Sequence, residues 1–210
     1  MKTRARTSFA IACAAALVAF LGACAAKSPS LRLVPVPQPS YTITGATVSI
    51  KGESFSLDLT LLDDAARAAF IGARVPAAAD PFAPAAGSKQ RYLTFRLAIR
   101  NTGAREPINF QPQGVVLSQE SGDRILPFDY PQAYSSLAGR ENSDPKLLED
   151  LSRYMFDVGT SLAPGESIDR LLIFPAGKLK ANRLRMEIPF LDPLHSSSKC
   201  DIMFDRETSR

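Results

Sequence analysis

The sequence predicts a mainly β fold, an antiparallel β-sandwich carrying one or two short helical insertions. Three observations lead there. Short runs alternate apolar and polar side chains, the period of a half-buried strand. Gly, Pro and Asn punctuate these runs at short intervals, as turns between strands require. Only two segments of the presumptive domain depart from this pattern with a helical spacing.

In chain order the first element is an export signal. Lys2, Arg4 and Arg6 make a cationic start without an acid, and an apolar run follows from Phe9 to Leu21. A charged start, a short apolar run and then small residues are the parts of a secretory signal peptide. The run is shorter than the about 20 apolar residues a membrane-spanning helix needs. Leu21-Gly22-Ala23-Cys24 comes next. That tetrapeptide resembles the lipobox of bacterial lipoproteins, which implies recognition of Leu21, Gly22 and Ala23 by a signal peptidase and cleavage after Ala23. It also implies lipidation of the Cys24 thiol, with acyl chains such as palmitate. Several acyl chains, each buried methylene contributing about 0.8 kcal/mol, make a lasting membrane anchor. Cys13 lacks the residues of the motif and reads as a small hydrophobe within the signal. In enteric-type diderm bacteria aspartate after the anchor favours inner-membrane retention. Ala25 points instead to the outer membrane, facing the periplasm.

Cleavage changes the charge. The whole chain carries +4, but without Lys2, Arg4 and Arg6 there remain 22 Lys plus Arg against 21 Asp plus Glu, or +1. No block of like charges is left to attract nucleic acid. The 187 residues from Cys24 onward suffice for one domain with a real core. Cys24 and Cys200 are the cysteines of that mature chain, which leaves no internal disulfide once Cys24 is lipidated, and stability falls to packing.

Residues 24–40 read as the lipidated cysteine and a tether, extended by Pro29, Pro35, Pro37 and Pro39. The domain is expected over residues 41–205, with 206–210 as a tail. Tyr41 to Ile50 is β-branched and alternating, Lys51-Gly52-Glu53 makes a turn, and Ser54 to Leu61 alternates with Phe55, Leu57, Leu59 and Leu61 on the buried face. Arg91 to Arg100 buries Leu93, Phe95, Leu97 and Ile99 and stops at Asn101-Thr102-Gly103. Further strands are expected over 114–118, 124–128, 168–174, 184–188 and 201–204. The helical insertions fall at about 63–73, capped by Asp63 or Asp64, and at 144–156. In the second, Ser143 or Asp144 caps, Pro145 suits the first turn, and Leu147, Leu148, Leu151, Tyr154 and Met155 share one face that packs on the sandwich.

Two motifs sharpen the fold. The strand from Phe95 into Asn101-Thr102-Gly103 resembles the strand and turn of immunoglobulin-like domains in bacterial surface proteins. Leu162-Ala163-Pro164-Gly165-Glu166-Ser167, followed by Leu171 to Pro175, is similar to the turn and strand of the domain-of-unknown-function 4352 type. The resemblance covers roughly residues 92–188. It implies an immunoglobulin-like sandwich that binds, spaces or supports other molecules, with no shared catalytic residue.

The search for chemistry yields little. His195 is the chain's one histidine, and no Gly-x-Ser-x-Gly elbow accompanies it. Ser196-x-x-Lys199 matches a penicillin-binding pattern without its companion elements, and Asp63/Asp64 and Glu149/Asp150 fit capping and a solvated face. No cofactor or catalytic residue is expected, and the leading expectation is a non-enzymatic interaction or structural module with an envelope protein as partner. The alternative is a metal-handling or redox lipoprotein using His195, Cys200 and Met203. An aromatic stretch with Phe128, Tyr130 and Tyr134 offers a candidate interaction surface; clamping a loop onto the sheet is the other role open to it.

Overall fold

Alternation places two sets of apolar side chains face to face. In the computed structural model, which describes residues 32–76, 79–84, 92–138, 148–156, 159–179, 181–189 and 199–207, one sheet runs β10 (Ser167–Pro175), β5 (Tyr92–Asn101), β4 (Phe55–Leu62), β3 (Thr47–Lys51), β2 (Thr42–Thr44). The other runs β1 (Leu33–Pro35), β12 (Lys199–Arg206), β11 (Arg183–Pro189), β7 (Val116–Gln119), β8 (Arg124–Ile125). A ribbon of β6 (Ile108–Phe110) and β9 (Thr160–Leu162) completes an antiparallel β-sandwich. From β5 the chain crosses to β7, and from β10 it crosses to β11. The two crossings interlock, because β5 pairs with β10 and β7 with β11.

The core is the one expected. Phe55, Leu57 and Leu59 of β4 and Leu93, Phe95, Leu97 and Ile99 of β5 are buried against Leu184, Met186 and Ile188 of β11 and Ile202 and Phe204 of β12. Phe95 meets Phe174 edge-on at 6.0 Å and Phe204 at 5.4 Å. Leu61, expected on the same face, is half-buried at the strand's end.

The Asn101-Thr102-Gly103 turn works through its side chain. Asn101 is fully buried; its Nδ2 donates to the carbonyls of Glu106 (2.8 Å) and Leu162 (2.9 Å), and its Oδ1 accepts from the Gly103 N–H. One amide thus ties the end of β5 to β9 with every donor used. Gly165, at φ +84°, makes the partner turn with a backbone that β-carbon-bearing residues rarely adopt. Its N–H donates to the Asn101 carbonyl.

Several boundaries differ from the sequence expectation. Tyr41 to Ile50 is a hairpin, β2 and β3, because Gly45 turns the chain at φ +61° and Thr44 pairs with Thr47. The folded domain begins inside the range 24–40 expected as a tether: Leu33–Pro35 pairs with β12, and Leu33 and Tyr41 are buried. Proline-rich extended chain is compatible with an edge strand, whose outward N–H groups need no partner, and the Tyr41 hydroxyl donates to the Val36 carbonyl across the Pro37–Pro39 bend. At the other end, β12 reaches Arg206. The run expected over 114–118 opens with a 3-10 turn at Pro112–Gly114, and β8 is two residues long.

A helical layer covers the outer face of β10 and β5. Helix α1 (Asp64–Arg74) is capped by Asp63, whose Oδ1 accepts from the Ala66 N–H at 2.8 Å. Helix α2 (Tyr130–Ala138) was not expected; Asp129 caps it by accepting from the Gln132 N–H, and Pro131 fits its first turn. Of the insertion expected at 144–156, residues 144–147 lie outside the described residues, and a short helix α3 (Leu151–Tyr154) is seen. Leu148, Leu151, Tyr154 and Met155 do share a buried face. With Ile71, Ala133 and Leu137 they form a second core on Leu171 and Ile173 of β10.

Candidate interaction surface

The expected aromatic residues come together on the helical layer. Phe82, Tyr92 and Phe128 form an edge-to-face series at 5.4 and 5.8 Å, and Tyr130 faces Tyr134 at 6.2 Å. Phe128 and Tyr130 are half-buried, and the Tyr130 hydroxyl donates to the Leu148 carbonyl at 3.2 Å. These two therefore clamp the layer, as aromatic rings with polar tips can. Tyr134 is 44% exposed, and Leu126, which the sequence reading did not single out, is 54% exposed. Loop residue Leu126 lies just before the point where the chain docks on β10 through the Phe128 N–H, bonded to the Ile173 carbonyl at 2.8 Å. The Phe156 N–H makes a similar bond to the Leu171 carbonyl, so the outer edge of β10 is covered from Leu171 to Ile173.

Beneath this surface sits a buried ion pair. Arg67 is 1% exposed; Nε and Nη2 donate to Asp80 Oδ2, both at 2.8 Å, and Nη2 also to the Phe82 carbonyl. Nη1 reaches Asp64 at 2.9 Å and Thr94 Oγ1 at 3.4 Å. The second oxygen of Asp80 accepts from the Phe82 N–H. A guanidinium supplies donors in a rigid fork, and here the fork fastens residues 80–82 and α1 to β5. Tyr154 is buried in the same layer; burial, then the charges of Asp80 and Asp150, push its phenol above the usual range.

The expected alternative, a metal or redox centre of His195, Cys200 and Met203, is not assembled by β12. His195 lies outside the described residues. Cys200 and Met203 are three apart on a strand and point to opposite faces: Cys200 packs in the sandwich core at 9% exposure, whereas Met203 lies on the outer face among Arg183, Arg185 and Glu187. Burial, and next the nearby Asp201 charge, push the Cys200 thiol up to about 11, which suppresses the reactive thiolate. Cys24 and the preceding Leu21, Gly22 and Ala23 also lie outside the described residues.

On that outer face an open groove of about 410 Å³ is lined by Arg124, Arg183 and Arg185 with Glu120 and Glu187. Two of its arginines are engaged across strands, Arg183 with Asp205 at 2.7 Å and Arg185 with Asp201 at 2.6 Å. The paired Arg183 holds the Asp205 carboxyl below its ordinary range.

No protein-family model and no curated protein matches the chain. Among solved structures it is similar to the yjhA protein of Bacillus subtilis, at 11% identity and a TM-score of 0.39 over 75% of this chain and 94% of that one. It is also similar to a Bacillus subtilis protein named "putative lipoprotein (ycdA)", at 14% identity and 0.40 over 78% of this chain and 39% of that one. Among the described residues no helix is long and apolar enough to cross a membrane.

Proposed function

We propose that the chain is a lipid-anchored, non-enzymatic binding module of the bacterial cell envelope, an immunoglobulin-like domain of the DUF4352 kind held at the outer membrane and facing the periplasm. The observation that carries this reading is the order of Lys2, Arg4 and Arg6, the apolar run to Leu21, and Leu21-Gly22-Ala23-Cys24. Only then does the domain begin, at β1. Binding is favoured over catalysis because two large buried polar side chains among the described residues are used by the fold: Arg67 by Asp80, and Asn101 by its two carbonyls. Among the described residues the large apolar side chains left exposed are Val34, Leu126 and Tyr134.

The test compares the native protein with Cys24→Ser. Native protein is expected in the membrane fraction with the mass of acyl chains added at Cys24, and the variant without them. Native protein that is soluble and unacylated would overturn the reading. Separating inner from outer membranes on a density gradient checks the finer location.

A further inference from the structure

Arg124 and Leu126 flank Ile125 of β8, which points into the core. A strand alternates its faces, so both flanking side chains lie on the bare outer face of the sheet. Arg124 is exposed there, and Leu126 is 54% exposed. The backbone alternates as well. The Gln119 N–H donates to the Asp123 carbonyl across the β7–β8 turn, and Leu117 faces Ile125 two residues further along each strand. In an antiparallel pair such bonded positions recur at every second residue, so Ile125 uses its N–H and carbonyl on Leu117. The N–H and carbonyl groups of Arg124 and Leu126 therefore point away from β7, on the side where β8 is the last strand of its sheet. No described group bonds to these four. Pro127 holds Leu126 extended, so this edge continues one residue past β8.

The ions of this face stop at the same edge. Arg183 has Asp205 on the neighbouring strand, Arg185 has Asp201, and Lys199 has Glu187. Arg124 lies in one row with Arg185, with Ser118 between them in register. It has no strand beyond it, and no acid pairs with it among the described residues. The acids of the adjoining turn are turned elsewhere: Asp123 accepts from Ser121 Oγ, and Glu120 lies near Arg183. We propose that this edge receives an extended segment of a partner protein as a further antiparallel strand, with a carboxylate side chain against Arg124 and an apolar one against Leu126. The inference rests on the binding-module reading above and not on its anchor. In strand addition the backbone bonds supply affinity and alternate side chains supply selectivity. The open groove of about 410 Å³ lined by Arg124, Ser118 and Arg185 has room for the carboxylate. Running antiparallel to β8, the segment meets Leu126 before Arg124, so its pattern is an apolar residue, any residue, then an acid.

The experiment titrates the isotope-labelled mature protein, in detergent micelles, with the peptide acetyl-Thr-Val-Thr-Glu-Thr-amide and follows the backbone amide resonances. The amides of Arg124 and Leu126 are expected to shift at millimolar peptide, and that of Ile125, already bonded to Leu117, to shift less. Lysine in place of the peptide's glutamate should weaken binding about fivefold, the scale of a charge pair directly across strands. Arg124→Glu, at an exposed position, should reverse that preference. Amides at 124 and 126 that stay still, or a lysine peptide that binds as well, would overturn the proposal. So would shifts at 124 and 126 that grow with protein concentration alone, which would give the edge to a second copy of this chain. Acyl mass on Cys24 is measured on the same sample. Acylated protein that ignores the peptide would overturn the edge site and leave the anchor standing; peptide binding by protein without acyl mass would do the reverse.

Discussion

The two outer faces of the sandwich have opposite fates. The face of β10 and β5 lies under helices, and Leu171, Ile173 and Thr94 on it are fully buried. The face of β11 and β12 is bare and carries a ladder of ions: Arg183 to Asp205, Arg185 to Asp201, and Lys199 to Glu187 at 3.1 Å. The difference is written in the strands. β11 alternates strictly between buried and open positions, whereas β10 is buried continuously from Leu171 to Phe174. A strand covered on one side needs apolar residues at every second position; one covered on both sides needs them at all.

The comparison can be broken most forcefully at the ion pair under the helices. Asp80→Ala leaves Arg67 buried without its main partner and should cost about 3–5 kcal/mol in urea unfolding. A loss below 1 kcal/mol would show that water reaches the site. Next, Ile173→Ala should cost about 2–5 kcal/mol, close to Leu172→Ala on the inner face. If Ile173 proves cheap to truncate while Leu172 does not, the helical layer is not a true second core.

Cys200 tests the inner face by pH. Burial raises its thiol to about 11 from 9.0, so the folded state holds a proton that the unfolded state releases earlier. The resulting stabilisation is fully present below pH 9 and declines as pH rises to 11, a total on the order of 3 kcal/mol. Cys200→Ala should abolish that decline, and thiol reagents should label Cys200 only on unfolding. Smallest of all, Arg185→Ala on the bare face should change stability by less than about 1 kcal/mol, since half-exposed ion pairs are screened by water. A larger loss would mean the ladder supports the sheet.

Much of this was legible in the sequence. The alternation of β4 and β5 and the buried face of Leu148, Leu151, Tyr154 and Met155 follow from period alone, and the sequence narrows the cap to Asp63 or Asp64, of which the structure uses Asp63. The hairpin at Gly45 was overlooked, although alternation slips by one residue between Ile43 and Val48 there; that slip was its signal. Helix α2 hides among aromatic residues and prolines, and its signal was four-residue spacing, Tyr130 to Tyr134 and Ala133 to Leu137. The Arg67–Asp80 pair had no local signal, because thirteen residues separate the partners and the fold alone brings them together. The interaction surface was half visible. Phe128, Tyr130 and Tyr134 could be named, but which of them clamp and which stay open depends on the docking of the chain on β10.

That docking would matter for a protein held on a surface, as the proposed anchor implies. Crowding in two dimensions favours any pairing of bare backbone edges between copies, the route by which sheets polymerise. The nine-residue β10, the longest strand at a sheet edge, is covered at Leu171 and Ile173 by the N–H groups of Phe156 and Phe128. Among the described residues the other edge strands are short: three residues of β1 ending in Pro35, three of β2, two of β8 and three each of β6 and β9. Such a molecule can be packed densely without its copies joining into fibres.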